Sequence, residues 1–349
     1  MPKISVIPGD GIGIDVTAEA MKVLRVIDQK YSLNLDIEEL DYGAERYLRD
    51  GTTLPAGEME RFRNEVDAIY LGALGDPRIP DMRHGREILL AMRFELDLYI
   101  NYRPVRCLAD RFCPLKDWTA PEIDFSVFRE NTEGVYVGMG GNFKKGTPDE
   151  VAINEDVNTR KGVERIIRAA FEYAVKRNRK KVTMIDKSNA MAYAHGLWKR
   201  VFDLVGEEYP GLEKQHLFVD AAVMMMVRDP TQFDVIVTSN LFGDIVTDLG
   251  AELQGGMGMA GSVNLNPSGV SLFEPVHGSA PPLAGKNQAN PIASMVTVQM
   301  MLEHLGSSDA ADALGHAIRM AVEENCLTAD VGGSQGTSDV GDFIANQLA

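Results

Sequence analysis

Two aspartates, Asp244 and Asp248, stand four residues apart in the run "NLFGDIVTDLG". On a helix that spacing projects both carboxylates from one face. Like charges so placed cost about 0.2–0.5 kcal/mol unless a cation joins them. Hard oxygen donors of this kind suit Mg²⁺ or Mn²⁺. An acidic first turn, held by the helix dipole, is the plainer reading of the same spacing. The neighbours Leu241, Phe242, Ile245, Val246 and Leu249 weigh against full solvation, and Asp220 in "LFVDAAVMMM" is a third carboxylate in an apolar setting. Lys187 ends the buried-looking run "VTMID" in "DKSN". A lysine there becomes a general base when desolvation or a nearby cation lowers its proton affinity. The same position also suits an ordinary solvated lysine.

Cations recur beside apolar or aromatic residues: Arg93 in "LLAMRFEL", Arg103 in "YINYRPV" and Arg129 in "FSVFRENT". Singly, each reads as an ion-pair arginine. Together they would make a fork-shaped receptor for carboxylates. Arg129 opens the decamer "RENTEGVYVG", which also carries the phenol of Tyr136 and closes on glycine. The turn "PGDGIG" lacks the G-x-G-x-x-G spacing of a dinucleotide fingerprint. Its glycines serve either a tight strand-to-helix turn or the close approach of a ligand. "EPVHGSAPPLAGKNQANP" (274–291) is a long loop with a single histidine, and loops of this length are usually functional.

The elements that would position these groups alternate. "KISVI", "VDAIYLGAL", "KKVTMID" and "FDVIVTSN" read as buried strands. Val16, Ala20, Val23, Leu24 and Ile27 share one helical face. "KGVERIIRAAFEYAVKRN" and "GLWKRVFDLVGEEY" read as amphipathic helices. Alternating strands and helices argue for an α/β chain with much parallel sheet. Residues 135–156 differ: two β-prone runs joined by a Gly/Lys/Pro segment predict a protruding hairpin, exposed or clasping a second subunit.

A chain of 349 residues suggests about two domains. A formal net charge of -16 would repel a phosphate backbone, so no nucleic acid is expected as a partner. The apolar run "IASMVTVQMML" is too short to span a bilayer and reads as a buried helix, and the N-terminus reaches glycine too soon for a signal-peptide core. The cysteines, Cys107, Cys113 and Cys326, are odd in number and include no C-x-x-C pair, so a reducing cytoplasm is the expectation.

Taken together, the chain resembles the metal-dependent β-decarboxylating dehydrogenases of 2-hydroxy acids. "PGDGIG", "R-x9-R-P", "RENTEG-x-Y", "DKSN", "SNLFGDIVTDL" and "EPVHGSAP-x-x-AGK-x-x-ANP" occur here in that family's order and nearly from end to end. The resemblance implies a non-Rossmann, two-domain α/β fold with a mixed sheet, flanking helices and a β-arm. It implies a discontinuous cofactor domain at 1–99 plus 253–349, and a substrate and dimerisation domain at 100–252. It further implies a homodimer, or a dimer of dimers, with shared active sites. By the same resemblance Lys187 is the base and Tyr136 the catalytic phenol. Arg93, Arg103 and Arg129 bind substrate carboxylates. Asp220, Asp244 and Asp248 ligate Mg²⁺ or Mn²⁺, with Lys187 and Asp220 reaching over from the neighbouring chain. Glu274, His277, Gly278, Ser279, Ala280 and Asn290 match cofactor-binding positions.

The helix before Arg93 selects the substrate in that family. Leu89 and Leu90 fall where isopropylmalate enzymes set leucines against the isopropyl group, so the first expectation is oxidative decarboxylation of 3-isopropylmalate to 2-oxoisocaproate. D-malate/tartrate dehydrogenation comes second, on the loop "GDPRIPDMRHG" and on Arg86, where isopropylmalate enzymes commonly have glutamate. Homoisocitrate or isocitrate comes third, and a non-catalytic regulatory subunit is the reading from another class. Pro282 and Leu283 stand where relatives carry an aspartate for NAD or a Lys-Tyr pair for NADP. The expectation is NAD, weakly held.

Overall fold

The computed structural model describes residues 1–349, which form two compact units. The first comprises 1–98, 106–121 and 251–349; the second comprises 99–105 and 122–250. The stretch 106–121, expected in the second domain, thus belongs with the first, where Arg111 Nη2 donates to the Val322 carbonyl at 2.6 Å.

In the first unit the strands are β1 (Lys3–Gly9), β2 (Asp36–Glu39), β3 (Ala68–Ala73), β11 (Gly261–Leu265) and β12 (Ser271–Pro275), in the order β2-β1-β3-β12-β11. β1 runs parallel to β2 and β3, β12 parallel to β3, and only β11 runs antiparallel, against β12. Strands covered on both faces need continuous apolar sequence. β3, "AIYLGA", is buried throughout. The helix Ile12–Tyr31 buries Val16, Ala20, Val23, Leu24 and Ile27 completely, as their 3.6-residue recurrence requires. A core of Phe62, Ile69, Leu71, Ile88, Met92 and Leu272 fills the interior of this unit.

In the second unit β4 (Ile100–Arg106), β5 (Asp124–Glu130), β8 (Lys181–Asp186), β9 (Glu213–Phe218) and β10 (Val235–Thr238) follow the order β4-β5-β10-β8-β9. β10 pairs in parallel with β5 and β8, and β8 with β9. The helix Arg160–Lys176 sets Ile166, Ala170 and Phe171 into the core, and Ala194–Gly206 adds Trp198 and Phe202. The expected arm is a two-stranded hairpin, β6 (Gly140–Phe143) against β7 (Val151–Asn154), exposed along its length. Its first strand starts later than the β-prone "VYV" suggested: Val135–Val137 forms a 3₁₀ turn, flanked by Gly134 and Gly138 at positive φ. No helix is long and apolar enough to cross a membrane.

Candidate active site

The helix Asn240–Leu253 acts as a rack in the second unit. Residues 240, 244 and 247 recur at helical spacing, and each holds a functional candidate. Asn240 Oδ1 accepts from Arg129 Nε and Nη2 at 3.1 and 2.8 Å. Asp244 Oδ1 accepts from Arg129 Nη1 at 2.6 Å, and Asp244 Oδ2 from the Tyr136 hydroxyl at 2.8 Å. Thr247 Oγ1 accepts from Arg103 Nη1 at 2.6 Å. Arg129 lies flat across the helix, 1% exposed, because residue 243 is glycine. A Cβ there would fall 2.4–2.9 Å from the Cβ, Cγ and Cδ of Arg129. The guanidinium also sits 5.3 Å from the Tyr136 ring centroid, a cation–π distance.

The turn between Arg129 and Tyr136 is built on the Glu130 carboxylate. Glu130, buried, accepts the backbone N–H groups of Thr132 and Glu133 at 2.9 and 2.8 Å, and burial raises its carboxyl pKa. Gly134 then bridges to Val157 at the arm's root. The charge, the phenol and the glycine of the decamer are thus parts of one turn facing one carboxylate.

The surroundings of the acidic pair differ from expectation. Only Val246 of the five apolar neighbours is fully buried; Leu241 and Ile245 are 39% and 53% exposed, and Asp248 is exposed. Helical spacing revealed the shared face but not that this face turns outward in a single chain. Nor does one chain gather three carboxylates: no group of three or more His, Cys, Asp or Glu side chains is placed to hold a metal. Asp220 is instead paired with Lys187, Nζ to Oδ1 2.6 Å, and that hydrogen bond lowers the Asp220 carboxyl pKa. Asp244 and Asp248 are oxygen donors of the kind a hard divalent cation takes, and Asp220 is not grouped with them in this chain.

In the first unit, Arg93 Nη2 donates to Glu274 Oε1 at 2.9 Å, and Asn264 Nδ2 donates to the same oxygen at 2.8 Å. The helix before Arg93 is irregular: Arg86–Leu90 forms a π-helical turn, a feature frequent at functional sites. Leu89 packs on the unit's core while Leu90 stands outside that cluster.

"PGDGIG" clamps the long loop. Gly11, at φ +58°, would place a Cβ 2.1 Å from the Ser279 carbonyl oxygen, and the Ile12 N–H donates to that oxygen at 2.8 Å. The glycine thus serves a close backbone approach within the protein. An open cleft of about 540 Å³ lies here, lined among others by Gly11, Asp15, Gly75, Arg78, Pro281 and Gly285. His277 gives a test of cofactor fit. Its Nδ1–H donates to the Gly278 carbonyl at 3.0 Å, leaving Nε2 a buried acceptor without a partner. Burial lowers its pKa, so the ring stays neutral and ready to receive a donor from a bound molecule. Ala280 adopts φ +35°, and Asn290 caps the loop through Ile292 N–H at 3.0 Å. Arg78 is the cleft's cation, but Asp76 and Glu45 bind it.

Sequence reasoning missed Asn240, Gly243 and Thr247. Extending the Asp244 phase by one turn in each direction would have found Asn240 and Thr247; Gly243, the residue before Asp244, carries no such periodic signal.

Comparison with known proteins gives concordant results. The family described as isocitrate/isopropylmalate dehydrogenase matches residues 3–344. A 3-isopropylmalate dehydrogenase of Thermobifida fusca is 48% identical over 349 residues, 99% of this chain and 98% of that one. One from Corynebacterium kroppenstedtii is 47% identical, covering 99% of each. Among solved structures, isocitrate dehydrogenase from Methylococcus capsulatus superposes with a TM-score of 0.90 at 35% identity, covering 100% of this chain and 99% of that one.

Proposed function

This chain belongs to the isocitrate/isopropylmalate dehydrogenase family, and from that membership we propose that it catalyses the NAD-dependent oxidative decarboxylation of 3-isopropylmalate to 2-oxoisocaproate, a step of leucine biosynthesis. The observation that carries the reading is Asp244, one carboxylate gripped by both Arg129 and Tyr136. It ties a divalent-cation ligand, a carboxylate receptor and a proton donor to a single point.

Asp244 and Asp248, with Asp220 of a second copy, would hold Mg²⁺ or Mn²⁺; NAD would lie along Glu274, His277–Ala280 and Asn290. When bound, the cation supplies electrophilic charge beside the substrate's oxygens and the nicotinamide supplies the hydride acceptor. The remaining work falls to side chains. Arg103 and Arg129 present guanidinium forks to the substrate carboxylates, and Arg93 has the same task on the family's pattern. Lys187, delivered from the second copy, takes the hydroxyl proton on Nζ as hydride leaves the carbon. After CO₂ departs, the Tyr136 hydroxyl gives its proton to the carbon that lost it, and the Arg129 guanidinium faces the phenolate left behind.

We infer a homodimer, or a dimer of dimers, and two exposed apolar faces support it. The helix of Asp244 exposes Leu241 and Ile245; that of Asp220 exposes Met224 and Val227 at 72% and 49%. Apolar side chains beside incomplete polar sites mark a surface to be covered by another chain. NAD rather than NADP suits a cleft whose cation is already bound by two carboxylates. Free cysteines throughout accord with a cytoplasmic location.

D-malate or tartrate is the second reading, favoured by Leu89 being committed to the core, which leaves less apolar surface for an alkyl group. Purified enzyme, offered isopropylmalate, D-malate, tartrate and isocitrate with each nicotinamide, decides between them. The expected outcome is the highest kcat/KM for isopropylmalate with NAD. A tenfold preference for D-malate would sink the first reading.

A further inference from the structure

The root of the arm holds a buried imidazole that the reaction, as drawn, does not use. His195 is 1% exposed, near the start of the helix Ala194–Gly206. Its Nδ1 accepts the backbone N–H of Lys187 at 3.0 Å. An accepting Nδ1 leaves the ring proton on Nε2, which faces Asp156 Oδ2 at 3.7 Å. Asp156 Oδ2 accepts from Asn158 Nδ2 at 2.8 Å, and Asn158 Oδ1 from Trp198 Nε1 at 2.7 Å. Between them, the Val157 carbonyl accepts the N–H of Gly134 at 2.8 Å, in the turn that carries Tyr136. The imidazole also meets Phe242 edge-on, ring centroids 5.2 Å apart, on the helix of Asp244. One ring therefore touches the lysine segment, the segment that fastens the tyrosine turn, and the helix of Asp244.

The geometry points to His195 as a positioning residue for Lys187, its unprotonated Nδ1 holding the lysine's backbone N–H and so fixing the direction in which the side chain leaves the end of β8. This rests on Lys187 being the base. The Lys187 carbonyl is pinned as well, by the N–H groups of Ala190 and Met191 at 2.9 and 2.8 Å. With both backbone groups held, only side-chain torsions separate Nζ from its target. Burial lowers the pKa of the imidazole, against the opposing pull of Asp156 and Asp186, which preserves the acceptor. The contacts to Asp156 and Phe242 set the lysine offered to one active site against the arm root and acidic helix of the other.

Three substitutions separate the ring's two edges. His195→Asn keeps an acceptor where Nδ1 stands; His195→Gln places its amide near Nε2 instead; His195→Leu removes both. The full-length enzyme is assayed for kcat and KM, and amide hydrogen exchange is followed on the peptide spanning 184–191. His195→Asn is expected to stay close to parental kcat with a slowly exchanging Lys187 amide. Gln and Leu are expected to lower kcat by roughly 10- to 100-fold, as a misplaced reacting group does, with KM for the hydroxy acid little changed and fast exchange at Lys187. Parental kcat in all three, or retention by Gln and loss in Asn, overturns the proposal. The Asn–Gln contrast decides even if the leucine variant does not fold. If the parent turns over no hydroxy acid while exchange still follows the Asn–Gln contrast, the functional reading falls and the positioning contact stands.

Discussion

Tyr136 spends its hydroxyl proton on Asp244 Oδ2, the carboxylate that also binds Arg129. Tyr136→Phe removes that bond and the proposed proton donor while leaving the ring under the guanidinium. The fold should lose about 0.5–1.5 kcal/mol, the usual net value of one hydrogen bond. Turnover should fall by about 10²–10⁴-fold, the range for a general acid, with hydride transfer in a single turnover nearly unaffected. Parental steady-state rates would remove the phenol from the mechanism. In the loop proposed to hold NAD, Pro282 offers no side-chain hydrogen bond to a ribose, which should forgo about 1 kcal/mol of affinity. Pro282→Asp is expected to lower the KM for NAD several-fold and to worsen use of NADP. A parent enzyme preferring NADP tenfold would show that Arg78, despite Asp76 and Glu45, reads the 2′-phosphate.

The acidic helix gives a prediction with a sign. Glycine inside a helix ordinarily costs about 0.5–1 kcal/mol relative to alanine. Gly243→Ala should nevertheless destabilise, by about 1–3 kcal/mol for overpacking, because its Cβ would enter the space of Arg129. A raised unfolding midpoint would show that the arginine moves aside freely. On the helix before Arg93, Leu89 is part of the core packing, so Leu90→Ala is the clean probe of the proposed substrate contact. Lost apolar contact in a substrate pocket is worth about 1–3 kcal/mol per methylene, so kcat/KM for isopropylmalate should drop at least tenfold more than for D-malate. Equal losses would mean that Leu90 does not touch the alkyl group. Much at this scale was legible beforehand. Apolar runs bounded by turn residues gave β1, β3, β8 and β10, and a fixed helical phase placed Asp244 and Asp248 on one face. The turn at Val135–Val137 was not legible, because β-prone residues there follow the bond from Tyr136 to Asp244, a partner 108 positions away. The outward aspect of Asp248 was not legible either, since apolar neighbours signal burial without saying by which chain.

For the molecule as a whole, the proposed reading completes each site with Lys187 and Asp220 from a second copy. Lys187→Met chains and Asp248→Asn chains should each be inactive alone. Unfolded, mixed and refolded together, they should recover about one quarter of parental activity, since half the dimers are hybrid and each hybrid carries one unaltered site. A mixture as inactive as its parts would mean that each chain completes its own site.

The strand order of the first unit also sets a timetable. β3 pairs on one side with β1, close by in sequence, and on the other with β12, Ala68 to Ser271 through Tyr70 to Phe273. A ribosome adding about 5–20 residues per second needs on the order of 10–40 s to reach β12 after completing β3. Through that interval a strand of wholly buried composition keeps an open edge, while the whole of the second unit is made. Such an edge is a template for pairing with any other nascent chain. The newborn polypeptide thus carries β3 with one edge unpaired through the middle of its own synthesis, and that edge stays closed to other chains only while something covers it.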